Sequence, residues 1–210
     1  MTTSHITEFH QRDLPAAQRF AVQGMHLDRY TSNALESYLY GKLATYQAFD
    51  PATIALGAYV DQRLVGFIFA RITSDHAHRL NWHQRLYVRL AERVIAWSPY
   101  RSEATAYDRA NQQMFRQLRD PQPDAEITFF AVDPQMTGHH IGSQLLAAVE
   151  HRLAGKRLYL YTDSSCNYPF YFKRGFTAAA TRTLTLPPDE QELTCYLLTK
   201  QLVTTPQTPV

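Results

Sequence analysis

The sequence predicts a mixed α/β domain with strands mostly in sequential order and a pair of helices inserted near its middle. Three observations carry that expectation. Seven short apolar runs are bounded by Gly, Pro, Asn or Asp, as strands are. Stretches between them repeat apolar residues at three- and four-residue spacing, the period of a helix. From Ser74 to Asp120 the helical period holds without interruption by a strand-like run, which marks the insertion.

The elements follow in order. Residues 6–9 are a first strand. Asp13 and Pro15 then open a helix with Ala17, Phe20, Ala21 and Met25 on one stripe. Asn33 and Glu36 have the spacing of a capping box and introduce a second helix, with Leu35, Leu39, Leu43 and Tyr46 expected inward. Residues 54–60 and 64–72 meet at Asp61-Gln62-Arg63 as a β-hairpin. Leu86, Leu90, Val94 and Trp97 mark an inserted helix that Pro99 ends, and Tyr107, Ala110, Met114 and Leu118 mark its partner, which ends at Asp120-Pro121. Residues 126–132 form a strand that Asp133-Pro134-Gln135 breaks. A helix follows from about Gly138, with Ile141, Leu145, Val149 and Leu153 inward and Gly155 at its C-terminal end. Residues 157–162 are a strand and 169–174 a short helix stopped by Gly175. Residues 176–186 and 193–203 pair across Pro187-Pro188-Asp189. The expected organisation is a single domain over 1–203 and a flexible tail over 204–210.

Composition narrows the function. The chain has 210 residues, 45% hydrophobic and 19% charged, which suits one domain with its own core. With 21 Lys+Arg against 19 Asp+Glu, the net charge of +2 predicts neither a nucleic-acid nor an anionic-membrane partner. The one asymmetry is the insertion, where nine arginines face four acids between Arg71 and Arg119. That surface reads as a solvated face, an oligomer contact compatible with a homodimer, or a substrate wall. Cys166 and Cys195 form no CxxC pair and read as free thiols. No apolar run reaches bilayer length, and the N-terminus has no signal-peptide pattern, so a soluble cytoplasmic protein is expected. His76, His78 and His83 do not line one helical face with a carboxylate, and no metal is expected.

The chemistry lies in two segments. In the first, the run Glu126-Ile127-Thr128-Phe129-Phe130-Ala131-Val132-Asp133-Pro134 leads through Gly138-His139-His140-Ile141-Gly142-Ser143 into a helix. A strand that turns through glycines straight into a helix presents backbone N–H groups at the helix's positive end, a ready phosphate site. The loop has no Lys-Ser/Thr of a P-loop and no GxGxxG of a dinucleotide turn. In the second, Asn167 and Tyr171 stand four apart in Asn167-Tyr168-Pro169-Phe170-Tyr171-Phe172-Lys173-Arg174-Gly175-Phe176 and share a helical face.

Together the two segments resemble the GNAT superfamily of acyl-CoA-dependent N-acyltransferases. Val132-Asp133-Pro134, Gly138, Ile141-Gly142, Asn167 and the Tyr171 to Phe176 run all fall in that family's register. The resemblance implies a GNAT-like mixed central sheet of about six to seven strands flanked by helices, with residues 74–120 inserted between the third and fourth strands. It implies transfer of an acetyl group from acetyl-CoA to a primary amine of a small molecule or peptide, by direct attack in a ternary complex. Residues implied to hold the acetyl-CoA are Ala131, Val132, Thr137, Gly138, His139, His140, Ile141, Gly142, Ser143 and Asn167. The family's loop carries arginine or glutamine and a glycine where this chain has Thr137 and His140, so one guanidinium is missing. Protonated, His140 would stand in part for it. Tyr171 matches the family's acid, which protonates the leaving thiolate. Glu126 matches the glutamate of histone-type members, which takes the amine proton through water. The alternative reading is a catalytically weak CoA-binding sensor, motivated by the same Thr137 and His140.

Overall fold

A computed structural model describes residues 4–24, 34–96, 101–118, 122–186 and 191–204. Met25, the Asn33 cap, Trp97, Pro99, Asp120-Pro121, the Pro187-Pro188-Asp189 turn and the tail from 205 lie outside the described residues.

Seven strands form one sheet: β1 (His5–Glu8), β2 (Ile54–Val60), β3 (Arg63–Ile72), β4 (Ala125–Val132), β5 (Arg157–Asp163), β6 (Thr177–Leu186) and β7 (Gln191–Gln201). Their order is β1-β2-β3-β4-β5-β7-β6. All neighbours are antiparallel except β4 and β5, which run parallel. The β2–β3 hairpin turns through Asp61 and Gln62 at φ 47° and 63°, the left-handed pair that matches strand twist. The helices are α1 (Leu14–Gly24), α2 (Ala34–Phe49), α3 (Trp82–Ala96), α4 (Arg101–Arg116), α5 (Ile141–Arg152) and α6 (Pro169–Phe172). The expected insertion between the third and fourth strands is the α3–α4 pair.

The sheet carries helices on both faces. On one, α5 packs Ile141, Leu145, Leu146 and Val149 against Leu56, Ile68, Ile127, Leu158 and Leu160. On the other, α1 contributes Ala17, Phe20 and Ala21 to a cluster with Phe67, Phe69, Phe129 and Ala131. Beside it Met114 of α4 and Leu118 just after it pack on Tyr159, Cys195 and Leu197. Burying each such Leu or Phe contributes roughly 1.5–3 kcal/mol.

One expectation is corrected. Leu35 and Leu39 do not face inward: they are 66% and 43% exposed. The buried stripe of α2 is Ser37, Gly41 and Thr45, with Leu43 and Phe49. Small residues win because α1 crosses close by: a Cβ on Gly41 would stand 2.4 Å from Val22 Cγ2. Gln18 Nε2 also donates to Tyr38 O at 2.7 Å, tying the pair.

Two irregularities in β4 prepare the site. Phe69 pairs with Phe129 but Ala70 pairs with Ile127, so Thr128 is an extra residue, a β-bulge. Ile127 and Phe129 therefore face opposite sides of the sheet although they are two apart. Thr128 Oγ1 bridges to Phe69 O and Ala48 O, both at 3.3 Å. Beyond the bulge β4 and β5 part: their pairing comprises Ala125, Glu126 and Ile127 with Leu158, Tyr159 and Leu160.

Candidate active site

A cavity of about 440 Å³ occupies the gap between the parted strands. It is lined by β4 from Ile127 onward, the loop into α5, β5 from Leu160 to Asp163, and Asn167, Phe170, Tyr171 and Arg174. Gly24 of α1 and Tyr107 of α4 line its other end, so the cavity passes from one face of the sheet to the other. From Phe129 to Val132, β4 has a strand partner on its β3 edge alone among the described residues. Its other edge presents backbone amides and carbonyls to the cavity.

At the α5 end, Asp133 Oδ1 accepts from Gln135 N–H at 3.0 Å and closes the turn after β4. Arg63 holds the same carboxylate through Oδ2 at 2.7 Å. Gly138 adopts φ 85°, a conformation that disfavours any side chain. His140 follows in the left-handed region at φ 58°, ψ 17°, so the imidazole is accommodated in the turn. Its side chain is exposed and does not cap the helix. The first helical hydrogen bond is Gln144 N–H to His140 O at 3.1 Å. The amides of Ile141, Gly142 and Ser143 precede it and point outward at the positive end of the helix. That cradle fits an anionic phosphate chain.

Thr137 does not reach for a ligand: its hydroxyl donates to Pro134 O at 2.7 Å. A guanidinium reaches this loop instead from the turn after α6. Arg174 donates to Phe170 O at 2.9 Å and to Ser143 Oγ, and lies 3.6 Å from the Phe170 ring centre. It lines the cavity beside the free amides.

Tyr171 lines the cavity. The turn after α6 fixes it, with Gly175 at φ 81° and Phe176 N–H donating to Tyr171 O at 3.2 Å. Its ring packs edge-on against Phe170 and Phe176. Among the described residues its hydroxyl makes no hydrogen bond. Burial pushes the phenol well above its ordinary range, and the nearby Cys166 adds to the rise. Cys166 itself is pushed up to about 11, by burial first and then by the charge of Asp163, so it is a protonated thiol and no nucleophile.

Of the residues singled out from sequence, Ala131, Val132, Thr137, Gly138, His140, Ile141, Gly142, Ser143, Asn167 and Tyr171 all line this cavity. His139 and Glu126 do not. The His139 ring nitrogen turns back to Met136 O and Thr137 O at 3.3 and 3.2 Å. Glu126 Oε2 takes Arg71 at 2.6 Å and the Tyr159 hydroxyl at 2.9 Å. Its field still reaches the lining: Tyr161 is raised to about 12, by burial and then by Glu126, against the opposing pull of Arg71. Sequence reasoning missed Arg174, Tyr161, Tyr107 and Asp163. Arg174 lay inside the recognised motif, and Asp163 was signalled by an acid at the end of an apolar strand. Nothing in the sequence ties Tyr107 to the site. No group of His, Cys, Asp and Glu suited to a metal occurs among the described residues.

Residues 22–176 match the family model described as "Acetyltransferase (GNAT) family". Solved structures with the same fold include the ribosomal-protein-S18-alanine N-acetyltransferase from Escherichia coli, at 14% identity over 99% of both chains, TM-score 0.55. The histone acetyltransferase HPA2 and related acetyltransferase from Corynebacterium glutamicum matches at 14% identity over 98% of this chain and 99% of that one, TM-score 0.56. An aminoglycoside 6'-N-acetyltransferase complexed with coenzyme A matches at 15% identity over 97% and 99%, TM-score 0.54. At these identities the likeness is one of fold. No curated protein matches the sequence.

Proposed function

The chain belongs to the GNAT acetyltransferase family, and on that premise we propose that it transfers an acetyl group from acetyl-CoA to a primary amine of a small molecule or peptide. The observation that carries this reading is the through-going cavity. It joins the free amides of α5 on one face of the sheet to Tyr171 and the open edge of β4, and emerges on the other face beside α1 and α4. The amides of Gly138, Ile141, Gly142 and Ser143 and the Arg174 guanidinium hold the pyrophosphate. Ala131 and Val132 lie along the pantetheine arm, and backbone N–H groups there receive the acyl oxygen as it becomes an oxyanion. Asn167 borders the same arm.

The amine must be neutral to attack, yet a free alkyl amine has a pKa of about 10. Glu126 is the base, taking the ammonium proton through water past Tyr161 onto Oε1, the carboxylate oxygen that Arg71 and Tyr159 leave open. The amine nitrogen bonds to the acetyl carbon and the carbon–sulfur bond breaks. Tyr171 gives its phenolic proton to the departing thiolate, a role supported by the burial that keeps it protonated. The Tyr171 phenolate takes back the second proton of the attacking nitrogen, and the products are the N-acetyl amine and the free thiol.

The test is thiol release from acetyl-CoA over a panel of amines and peptides, with the acetylated product identified by mass. General acid–base groups contribute about 10² to 10⁴ in rate. Tyr171→Phe is expected to lower kcat at least tenfold with CoA affinity unchanged, and a wild-type kcat would remove the acid assignment. Glu126→Gln is expected to be slowest at acidic and neutral pH and to recover at high pH, where neutral amine is plentiful. A deficit constant across pH would leave Glu126 only its hold on Arg71. A chain that binds CoA but releases no thiol with any acceptor would favour the sensor reading.

A further inference from the structure

We infer that Asp163 receives the acceptor as an ammonium ion, which makes the acceptor a primary aliphatic amine that arrives charged; this rests on the transferase reading above. Asp163 ends β5, and its side chain is 6% exposed yet lines the cavity. Alternation along β5 puts Tyr159, Tyr161 and Asp163 on the face covered by α4, opposite to Leu158 and Leu160, which meet α5. The carboxylate thus stands on the side away from the phosphate cradle, where an acceptor would enter.

Its surroundings lack what a buried charge ordinarily has. Among the described residues no Lys, Arg or His pairs with Asp163, whereas Glu126, Asp133 and Glu150 each have a cation within 2.7 Å. The Oδ1 oxygen accepts from Ser165 N–H at 2.8 Å and the Ser165 hydroxyl at 2.5 Å. The Oδ2 oxygen has the Tyr107 hydroxyl of α4 at 3.4 Å, a long contact that leaves room for a stronger donor. The negative charge is felt nearby: after burial, Asp163 is the next cause raising Cys166 and Cys195. A buried carboxylate gains most from a cationic hydrogen-bond donor, and an alkylammonium supplies both charge and N–H. Tyr107 and Tyr161 line the same cavity, apolar rings suited to the alkyl stem. The inserted α4 thereby acts as an acceptor wall.

The experiment uses the full chain with acetyl-CoA and two probes, hexylamine and aniline, the second uncharged at neutral pH. Asp163→Asn keeps an acceptor for the Ser165 amide and removes the charge. Expected is a rise of at least tenfold in KM for hexylamine, with KM for acetyl-CoA and turnover of aniline within twofold of wild type. Equal changes for both amines, or none, overturn the inference. Tyr107→Phe keeps the test open if the first variant fails to fold: it takes the competing hydroxyl off Oδ2, so a fall in KM confined to hexylamine supports the inference, and a shift common to both amines, or none, counts against it. Calorimetric binding of hexylammonium to the CoA-loaded chain separates this idea from the transferase reading. Binding that Asp163→Asn abolishes, in a chain without turnover, keeps the ammonium site and discards the transfer. A wild-type chain that does not bind hexylammonium discards the site.

Discussion

The Arg174 guanidinium crosses from the turn after α6 to Ser143 at the start of α5, and this one side chain changes how the phosphate loop reads. From sequence, Thr137 marks a lost positive charge. In the fold that charge returns from a residue 37 positions later, because the turn that ends at Gly175 carries the Arg174 side chain to Ser143 at the start of α5. Stacking on Phe170 and a bond to its carbonyl hold the fork in place, so little side-chain entropy remains to be lost on binding. A charge-assisted hydrogen bond is worth about 1.5–3 kcal/mol, roughly ten- to a hundredfold in Kd. Arg174→Gln is therefore expected to weaken CoA about that much, measured by calorimetry at low salt. The gap from wild type should narrow as salt screens the partly exposed pair. Arg174→Lys should recover only part of the loss, since it restores charge without the planar fork. An Arg174→Gln chain with unchanged CoA affinity at low salt would return the phosphate site to backbone amides alone.

At the scale of elements, α2 shows where a helical stripe misleads. Leu35, Leu39 and Leu43 repeat at four-residue spacing and read as the inner face, but Ser37, Gly41 and Thr45 keep the same spacing two residues on. What decides between them is the distance to α1, which no single-helix pattern contains. Removing Gly from a helix ordinarily gains up to about 1 kcal/mol. Here a side chain meets Val22 at once, and overpacking of this kind costs about 1–3 kcal/mol. Gly41→Leu is expected to lower Tm and the denaturant midpoint, and a more stable variant would show that α1 can step aside. The same limit applies to α3, whose helix was legible but whose Leu86, Leu90 and Val94 lie exposed. Where one element sets its own geometry, the reading holds. The Asp61-Gln62 turn, the β4–α5 joint and the stripe of Ala110, Met114 and Leu118 stand where their local patterns put them. Asp163 and Tyr107 were not legible as a pair, since their 56-residue separation is closed by tertiary packing alone.

At the scale of the whole molecule, the sheet is joined least where the site lies. Strands β2 with β3, β3 with β4 and β5 with β7 each pair over seven positions, whereas β4 and β5 pair over three. The Thr128 bulge and the parted strand ends trade ladder hydrogen bonds for a passage between the two faces. Such a gap leaves backbone groups of β4 open until a ligand with amide groups of its own, as pantetheine has, lies along them. Binding should then knit the β1–β4 half of the sheet to the β5–β7 half. A ligand that binds only the folded chain at 100 times its Kd adds about 2.7 kcal/mol of stability. For a chain of this size each kcal/mol moves Tm by about 2–4 °C, so saturating CoA should raise Tm by about 5–11 °C. Hydrogen exchange locates the effect: protection should grow at Phe129 to Val132 and at Tyr161 to Asp163, and stay unchanged in the β2–β3 hairpin. Protection confined to the α5 loop would mean that the phosphates bind without the arm entering the gap, and the passage would then not be the route of transfer.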